Sequence, residues 1–166
     1  MTEYDWSQFT KRINIRANVH DIYRLWATQQ GLEKWFLRKA ESKAPDNTLR
    51  EPNEFVQKGD VYTWFWFGYS EEVSETGSIL EANGKDLLQF TFSGKCVVSI
   101  RIKEEPGELV VELKQENIPV DEISKARYHM DCSTGWTFYL ANLKSVLEGG
   151  IDLRNKNEKL KNVINS

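Results

Sequence analysis

Tyr128, His129 and Asp131 place a phenol, an imidazole and a carboxylate within one short stretch. Such a group could orient a polar ligand or act as an acid–base toward it. The simpler role is structural, a histidine before a helix bonding loop backbone or water. Cys132 follows directly and offers a thiol that a helix N-terminus could activate. On the apolar face of that helix, the same thiol is more simply a small hydrophobe. His20 falls in the first turn of an earlier helix, where it is solvated. Glu71-Glu72 and Glu104-Glu105 pair carboxylates, but both pairs adjoin turns. Strand neighbours point to opposite faces, so neither pair converges on one substrate.

Other catalytic signatures are missing. The sequence holds no Gly-x-Ser-x-Gly elbow, no phosphate-cradling glycine loop, no His-Glu-x-x-His and no cysteine cluster. Two histidines cannot build a metal site without carboxylate help, so no catalytic residue, metal or cofactor is assigned. The 22 basic and 25 acidic side chains leave a net charge of −3, without the basic face that nucleic-acid binding requires. The start Met-Thr-Glu-Tyr-Asp has neither a positive region nor an apolar run, so no secretory signal is expected. No stretch approaches the roughly 18 apolar residues of a membrane span. Cys96 and Cys132 are too few for a disulfide framework, and a cytoplasmic protein with free thiols is expected.

The bulkiest signal is aromatic. Six of the eight residues from Tyr62 to Tyr69 carry rings. As a strand, this segment turns Tyr62, Trp64 and Trp66 to one side and Phe65 and Phe67 to the other. Each ring buries roughly 150–250 Å², more than a lone strand can shelter. A curved sheet around a large apolar interior is implied.

The elements that would position these groups follow from periodicity. Alternation from Phe9 to Ile15 predicts a first strand with Ile13 and Ile15 inward. Asn18, with Asp21 three residues on, predicts a capped helix carrying Ile22, Leu25 and Trp26, stopped at Gly31. A short second helix carries Leu32, Trp35 and Phe36. Residues 40–58 contain Pro45 and Pro52, lack periodicity and read as a long loop. Strands are predicted at about 60–68, 73–82, 86–93, 95–104 and 108–117, broken at Gly68, Asn83-Gly84, Ser93-Gly94 and Pro106-Gly107. Their inward residues include Leu88, Phe90, Phe92, Val98, Ile100, Val111 and Leu113. After Pro119 the period changes: Cys132, Trp136, Tyr139, Leu140, Leu143 and Leu147 recur every three or four residues up to Gly149-Gly150. The result is an α+β domain whose final helix lies across a curved antiparallel sheet, with Trp136 and Leu140 facing the aromatic strand.

The order of these motifs resembles the START-like (SRPBCC) superfamily with its helix-grip fold, and within it the heat-shock-protein-90 ATPase activator homologue family. The residues that carry the resemblance are Ala17-Asn18-Val19 leading to Ile22-Tyr23-Arg24-Leu25-Trp26, then Leu32-Glu33-Lys34-Trp35-Phe36. Gly59-Asp60 opens the aromatic strand, Gly77 precedes Ile79-Leu80-Glu81, Leu88 to Phe92 follow, and Gly135-Trp136 with Leu140 and Leu143 close the set. The resemblance implies one START-like domain over residues 1–154, followed by a polar tail at 155–166. It also implies a deep cavity between sheet and helix, which relatives use for lipids, aromatic polyketides, sterols or hormones. In the eukaryotic co-chaperone, an additional N-terminal domain takes part in contacting the chaperone. This sequence opens close to its first strand, so chaperone contact stands behind ligand binding as the expected role.

An empty apolar cavity costs about 24 cal/mol per Å³, so a dry void of roughly 300 Å³ would cost about 7 kcal/mol. The bulky rings therefore imply a smaller cavity than in lipid carriers, suited to a flat aromatic or short-chain ligand. Tyr62, Trp64, Trp66, Phe90, Phe92, Trp136 and Leu140 are the expected wall, with Tyr128 and His129 as polar contacts. The expected function is binding of an apolar or aromatic small molecule. A protein-interaction module displaying Phe65 and Phe67, with the 40–58 loop as their alternative cover, comes second. A cyclase- or hydrolase-like enzyme using His129 comes last.

Overall fold

The computed structural model describes residues 2–164, and its regular structure begins with β1 (Phe9–Ile15). Asn18 caps α1 (Val19–Ala27), its Oδ1 accepting from the Asp21 backbone amide at 2.8 Å while its side-chain Nδ2 donates to the Asp21 carboxylate at 2.7 Å. The reciprocal cap predicted from the spacing is present. The helix stops earlier than Gly31, however, which lies inside α2 (Gln29–Trp35). Thr28 makes the break: its hydroxyl donates to the Arg24 carbonyl at 2.8 Å and accepts from the Gly31 amide at 2.9 Å. One side chain thus satisfies the end of one helix and the start of the next.

The remaining strands are β2 (Lys39–Lys43), β3 (Val61–Phe65), β4 (Glu75–Ala82), β5 (Leu87–Phe92), β6 (Cys96–Glu105) and β7 (Glu108–Glu116). They form one seven-stranded sheet in the order β1-β7-β6-β5-β4-β3-β2, with every neighbouring pair antiparallel. At the β4–β5 turn, the Asn83 side-chain oxygen accepts from the amides of Lys85, Asp86 and Leu87. Ser93 and Gly94 both take positive φ, 52° and 81°, the geometry of a tight hairpin turn matched to strand twist.

The segment expected to be a loop at 40–58 contributes β2, the edge strand beside β3. Its inward residues are Ala40 and Ser42, opposite Trp64 and Tyr62. Small residues fit where the facing rings are large, and they leave no alternating apolar signal. The rest of the connection is pinned by a buried ion pair. Arg50 donates through Nε and Nη2 to the two Asp60 oxygens, both at 2.9 Å, and the Gln57 amide adds a third bond to that carboxylate at 2.9 Å. Asp60 is fully buried, and this set of donors compensates its lost hydration.

Strand β3 also ends sooner than expected, at Phe65, although Trp66 continues on the same side as Trp64. The outward Phe65 lies under Arg38 and Lys39, at 5.8 and 5.3 Å, and Phe67 lies under Arg154 and Lys156, at 5.3 and 5.5 Å. Cations flanking and opening β2, and cations of the C-terminal segment, give the cover that the 40–58 loop was expected to supply.

After β7 the chain forms α3 (Glu122–Ser124), a π-helical segment (Lys125–Asp131) and α4 (Cys132–Leu147). The helical path therefore starts at Glu122. Its π turns bond i to i+5 and escape a search for residues three or four apart. On α4, Trp136 packs against Phe92 of β5 at 5.2 Å and Trp26 of α1 at 6.0 Å, and Leu140 and Leu143 are buried. Trp64 is 3 % exposed. The architecture is the expected α+β one, a curved antiparallel sheet wrapped around a long C-terminal helix with two short helices after the first strand.

The chain beyond α4 is tied back onto it. Asn142, fully buried, donates to the Trp35 carbonyl at 2.7 Å and to Asp152 at 3.1 Å, and accepts from the Leu153 amide at 2.8 Å. Arg154 donates to the carbonyls of Leu37 and Glu33, at 2.8 and 2.9 Å, and to both oxygens of Asp152.

Candidate functional site

An apolar cleft of about 490 Å³ lies where the sheet meets the start of α4. Phe36 enters it from the end of α2; Trp66, Tyr69 and Val73 come from the β3–β4 connection. Phe92 and Ser93 come from the end of β5 and its turn, and Asp131, Cys132, Gly135, Trp136 and Tyr139 from the π segment and α4. Pockets that hold small ligands span roughly 300–1,000 Å³. Tyr69 and Val73 are about half exposed, so the cleft opens to solvent on that side. It is a cleft rather than a sealed void, and the energetic cost of a dry cavity does not apply.

Six rings shape the walls. Phe36 meets Trp66 at 5.5 Å and Tyr139 at 4.9 Å, in both cases edge to face, while Trp136 is tilted against Phe36 at 5.1 Å. Trp66 and Phe92 approach to 6.4 Å at 64°. Mutually inclined rings brace one another and leave a concave aromatic surface.

A buried polar chain holds this surface in place. The Trp136 indole donates to the Gln115 side-chain oxygen at 3.0 Å, and the Gln115 amide donates to the Tyr128 carbonyl at 3.1 Å. Gln115 is fully buried, so it links β7, the π segment and α4 without water. The Ser93 hydroxyl and Cys132 thiol lie 3.4 Å apart, and the thiol reaches the Arg127 carbonyl at 3.6 Å. Burial pushes the Cys132 thiol up, against hydrogen bonds from Ser93 and Gln115, and the charges of Asp131 and Glu75 push it the same way. The helix start does not activate this thiol. Burial likewise raises the Tyr139 phenol to about 12, keeping it a neutral hydrogen-bonding group.

Of the residues expected to form the wall, Trp66, Phe92 and Trp136 line the cleft. Tyr62, Trp64 and Phe90 lie behind it. Tyr62 stacks on Trp64 at 3.8 Å, and Trp64 meets Phe90 at 5.2 Å and Phe36 at 5.5 Å. Leu140 is buried beneath. Tyr128 is half-buried and offers its carbonyl to Gln115 rather than a lining side chain. His129 is 4 % exposed and faces the N-terminal segment, with Tyr4, Trp6 and Phe9 within 5.1–5.4 Å of its ring. Its Nδ1 bonds the Trp6 carbonyl at 3.0 Å and its Nε2 bonds the Tyr4 hydroxyl at 2.9 Å. Phe36, Tyr69, Val73, Ser93, Cys132, Gly135 and Tyr139 join the cleft without having been singled out as ligand contacts. For Tyr139 a signal existed, since it shares a helical face with Trp136; for Tyr69 and Val73, in an irregular connection, none did.

Among the described residues, no three His, Cys, Asp or Glu side chains are grouped to hold a metal ion. No helix among them is long and apolar enough to cross a membrane.

A family model described as activator of Hsp90 ATPase homolog 1-like protein matches residues 16–148. No curated protein matches the chain. Among solved structures, protein SSP2350 from Staphylococcus saprophyticus is similar at a TM-score of 0.67 with 16% identity, over 89% of this chain and 96% of that one. The Aha1 dimer from Colwellia psychrerythraea aligns at 0.65 with 17% identity, over 86% and 97%. Protein MLL2253 from Mesorhizobium loti aligns at 0.66 with 12% identity, again over 86% and 97%. At such identities the likeness speaks for the fold alone.

Proposed function

The chain belongs to the family of activator of Hsp90 ATPase homolog 1-like proteins, and on that premise we propose that it is a binding protein for a small apolar or aromatic molecule. The ligand would sit in the cleft between the sheet and α4. Trp66, Phe92 and Trp136 would touch it together with Phe36, Tyr69 and Tyr139. Tyr62, Trp64, Phe90 and Leu140 back those contacts from the core. The observation that carries this reading is the six-ring cleft of about 490 Å³, open to solvent where the rest of the interior is packed. Exposed apolar surface of this kind is costly to keep in a monomer and commonly marks a binding site. A protein-interaction role of the Hsp90 co-chaperone kind draws support from the family's name. It loses its structural motive, because Phe65 and Phe67 are covered by cations.

The test is a two-dimensional NMR titration against a library of aromatic and short-chain compounds. Shifts gathered on Trp66, Tyr69, Phe92, Trp136 and Tyr139 are expected. Shifts scattered over the surface, or none across the library, would reject the cleft as a ligand site.

A further inference from the structure

We infer that the cleft selects a cation: an ammonium group, alkylated and weakly hydrated, carried on an aromatic or apolar body. The inference rests on the reading of the cleft as a ligand site and adds the charge of its occupant. Three independent features converge on it.

The first is the wall. Ring faces carry negative potential, and several inclined rings around one space attract a cation that has little hydration to lose. The cleft presents six rings and no lysine, arginine or histidine.

The second is the placement of carboxylates. Asp131 lines the rim and is exposed. Glu75 stands directly across from Trp64 in the β3–β4 register, which turns it to the inner face of the sheet. Its Oε1 accepts from the amide of Ser93, a lining residue, at 2.7 Å. Both charges are felt at Cys132, which lies on the cleft wall. Among the described residues, neither carboxylate stands in an ion pair.

The third is the fate of a positive charge near the cleft, that of Arg154. Arg154 is felt at Tyr139, but its guanidinium grips Asp152 through Nε at 2.9 Å and Nη2 at 2.7 Å. No side chain of the cleft therefore compensates Glu75, a half-buried carboxylate. Glu75 stands behind the lining rather than in it, bonded to the Ser93 amide, and a cation in the cleft would offset its charge where a neutral ligand would not. A metal ion does not fit, because its oxygen ligands are lacking where rings form the wall.

Phenyltrimethylammonium and tert-butylbenzene have the same shape and differ by one nitrogen in place of one carbon. Their binding is compared by tryptophan fluorescence and by the indole NMR signals of Trp66 and Trp136. The ammonium is expected to bind at least about ten-fold tighter. In Glu75→Gln/Asp131→Asn the ratio of the two affinities should fall several-fold. Asp131→Asn alone, at an exposed position that folding does not need, should move it in the same direction. Equal binding of the two probes, or a preference unchanged in both variants, overturns the charge inference and leaves an apolar ligand site standing. Failure of the ammonium to bind also overturns it, and the library titration then judges the cleft separately.

Discussion

The hydroxyl of Tyr62 on β3 donates to the carbonyl of Thr91 on β5, crossing over Gly77 of the strand between them. A Cβ at Gly77 would clash with the Tyr62 phenol and stand 2.7 Å from the Thr91 oxygen. The phenol is fully buried, and burial raises it far above the ordinary tyrosine value. The bond therefore depends on the missing side chain beneath it. Gly77→Ala should destabilise by about 1–3 kcal/mol through overpacking. Tyr62→Phe should cost about 1 kcal/mol through the lost hydrogen bond. Urea unfolding of both variants checks the pair, and a neutral Gly77→Ala would refute the crossing.

Gly135 lies on the cleft wall, and a Cβ built there meets nothing within 4 Å. Two outcomes follow from one position. Gly135→Ala should stabilise α4 by about 1 kcal/mol, since glycine inside a helix is that much worse than alanine. Gly135→Leu should fold normally and lose ligand shifts at Trp136 and Tyr139, because the added side chain occupies the cleft. Thermal melting and the NMR titration read the two effects separately.

The strands were legible wherever one face was apolar and a glycine marked the turn. The inner faces of β5, β6 and β7 carry apolar residues at alternate positions, although Ser99 and Val110 are buried as well, and Asn83-Gly84, Ser93-Gly94 and Pro106-Gly107 all mark real hairpins. β2 was not legible, because Ala40 and Ser42 are small to accommodate the rings they face. Alternation likewise names a face but not a depth. Tyr62, Trp64 and Trp66 share one side, yet only Trp66 reaches the cleft, and the lining residues Phe36 and Phe92 pack against Trp64. His129 was placed near the start of α4 from sequence, but the direction it faces depends on the π turn. That turn has no signature in apolar spacing, and it delivers the imidazole to Tyr4 and Trp6.

Glu75 and Asp152 should give stability opposite dependences on pH. Burial raises Glu75 above its ordinary 4.5, against the bond from the Ser93 amide. Its contribution is then complete below about pH 4.5 and is lost as pH rises through the raised folded value. Burial would also raise Asp152, but hydrogen bonds from Arg154 and then Lys156 outweigh it and hold the carboxyl well below 3.8. Its contribution is present above about pH 3.8 and is lost as pH falls through the folded value. Urea midpoints across this range should show Glu75→Gln gaining on the wild type as pH rises. Asp152→Asn should recover relative to the wild type as pH falls. Parallel curves for wild type and either variant would remove that residue from the argument.

Arg154 is the most exacting point of the C-terminal segment. Its side chain is 2% exposed, and it bridges two backbone carbonyls, Leu37 and Glu33, to the carboxylate of Asp152. The carbonyls belong to the stretch that closes α2 and leads to Phe36 and β2. Losing the guanidinium would strand both carbonyls and leave Asp152 to Lys156 and Asn142, so Arg154→Ala should cost about 2–4 kcal/mol. Lysine cannot reproduce a planar fork that meets three acceptors at once, and Arg154→Lys should recover only part of that loss. The same substitution uncovers one face of Phe67. Because Phe36 lies between these two carbonyls in the chain and lines the cleft, Arg154→Lys should also broaden the NMR signals of Phe36 and Tyr139 before it unfolds the domain. Sharp, unshifted signals at both rings would show that the clasp holds the tail without bracing the cleft.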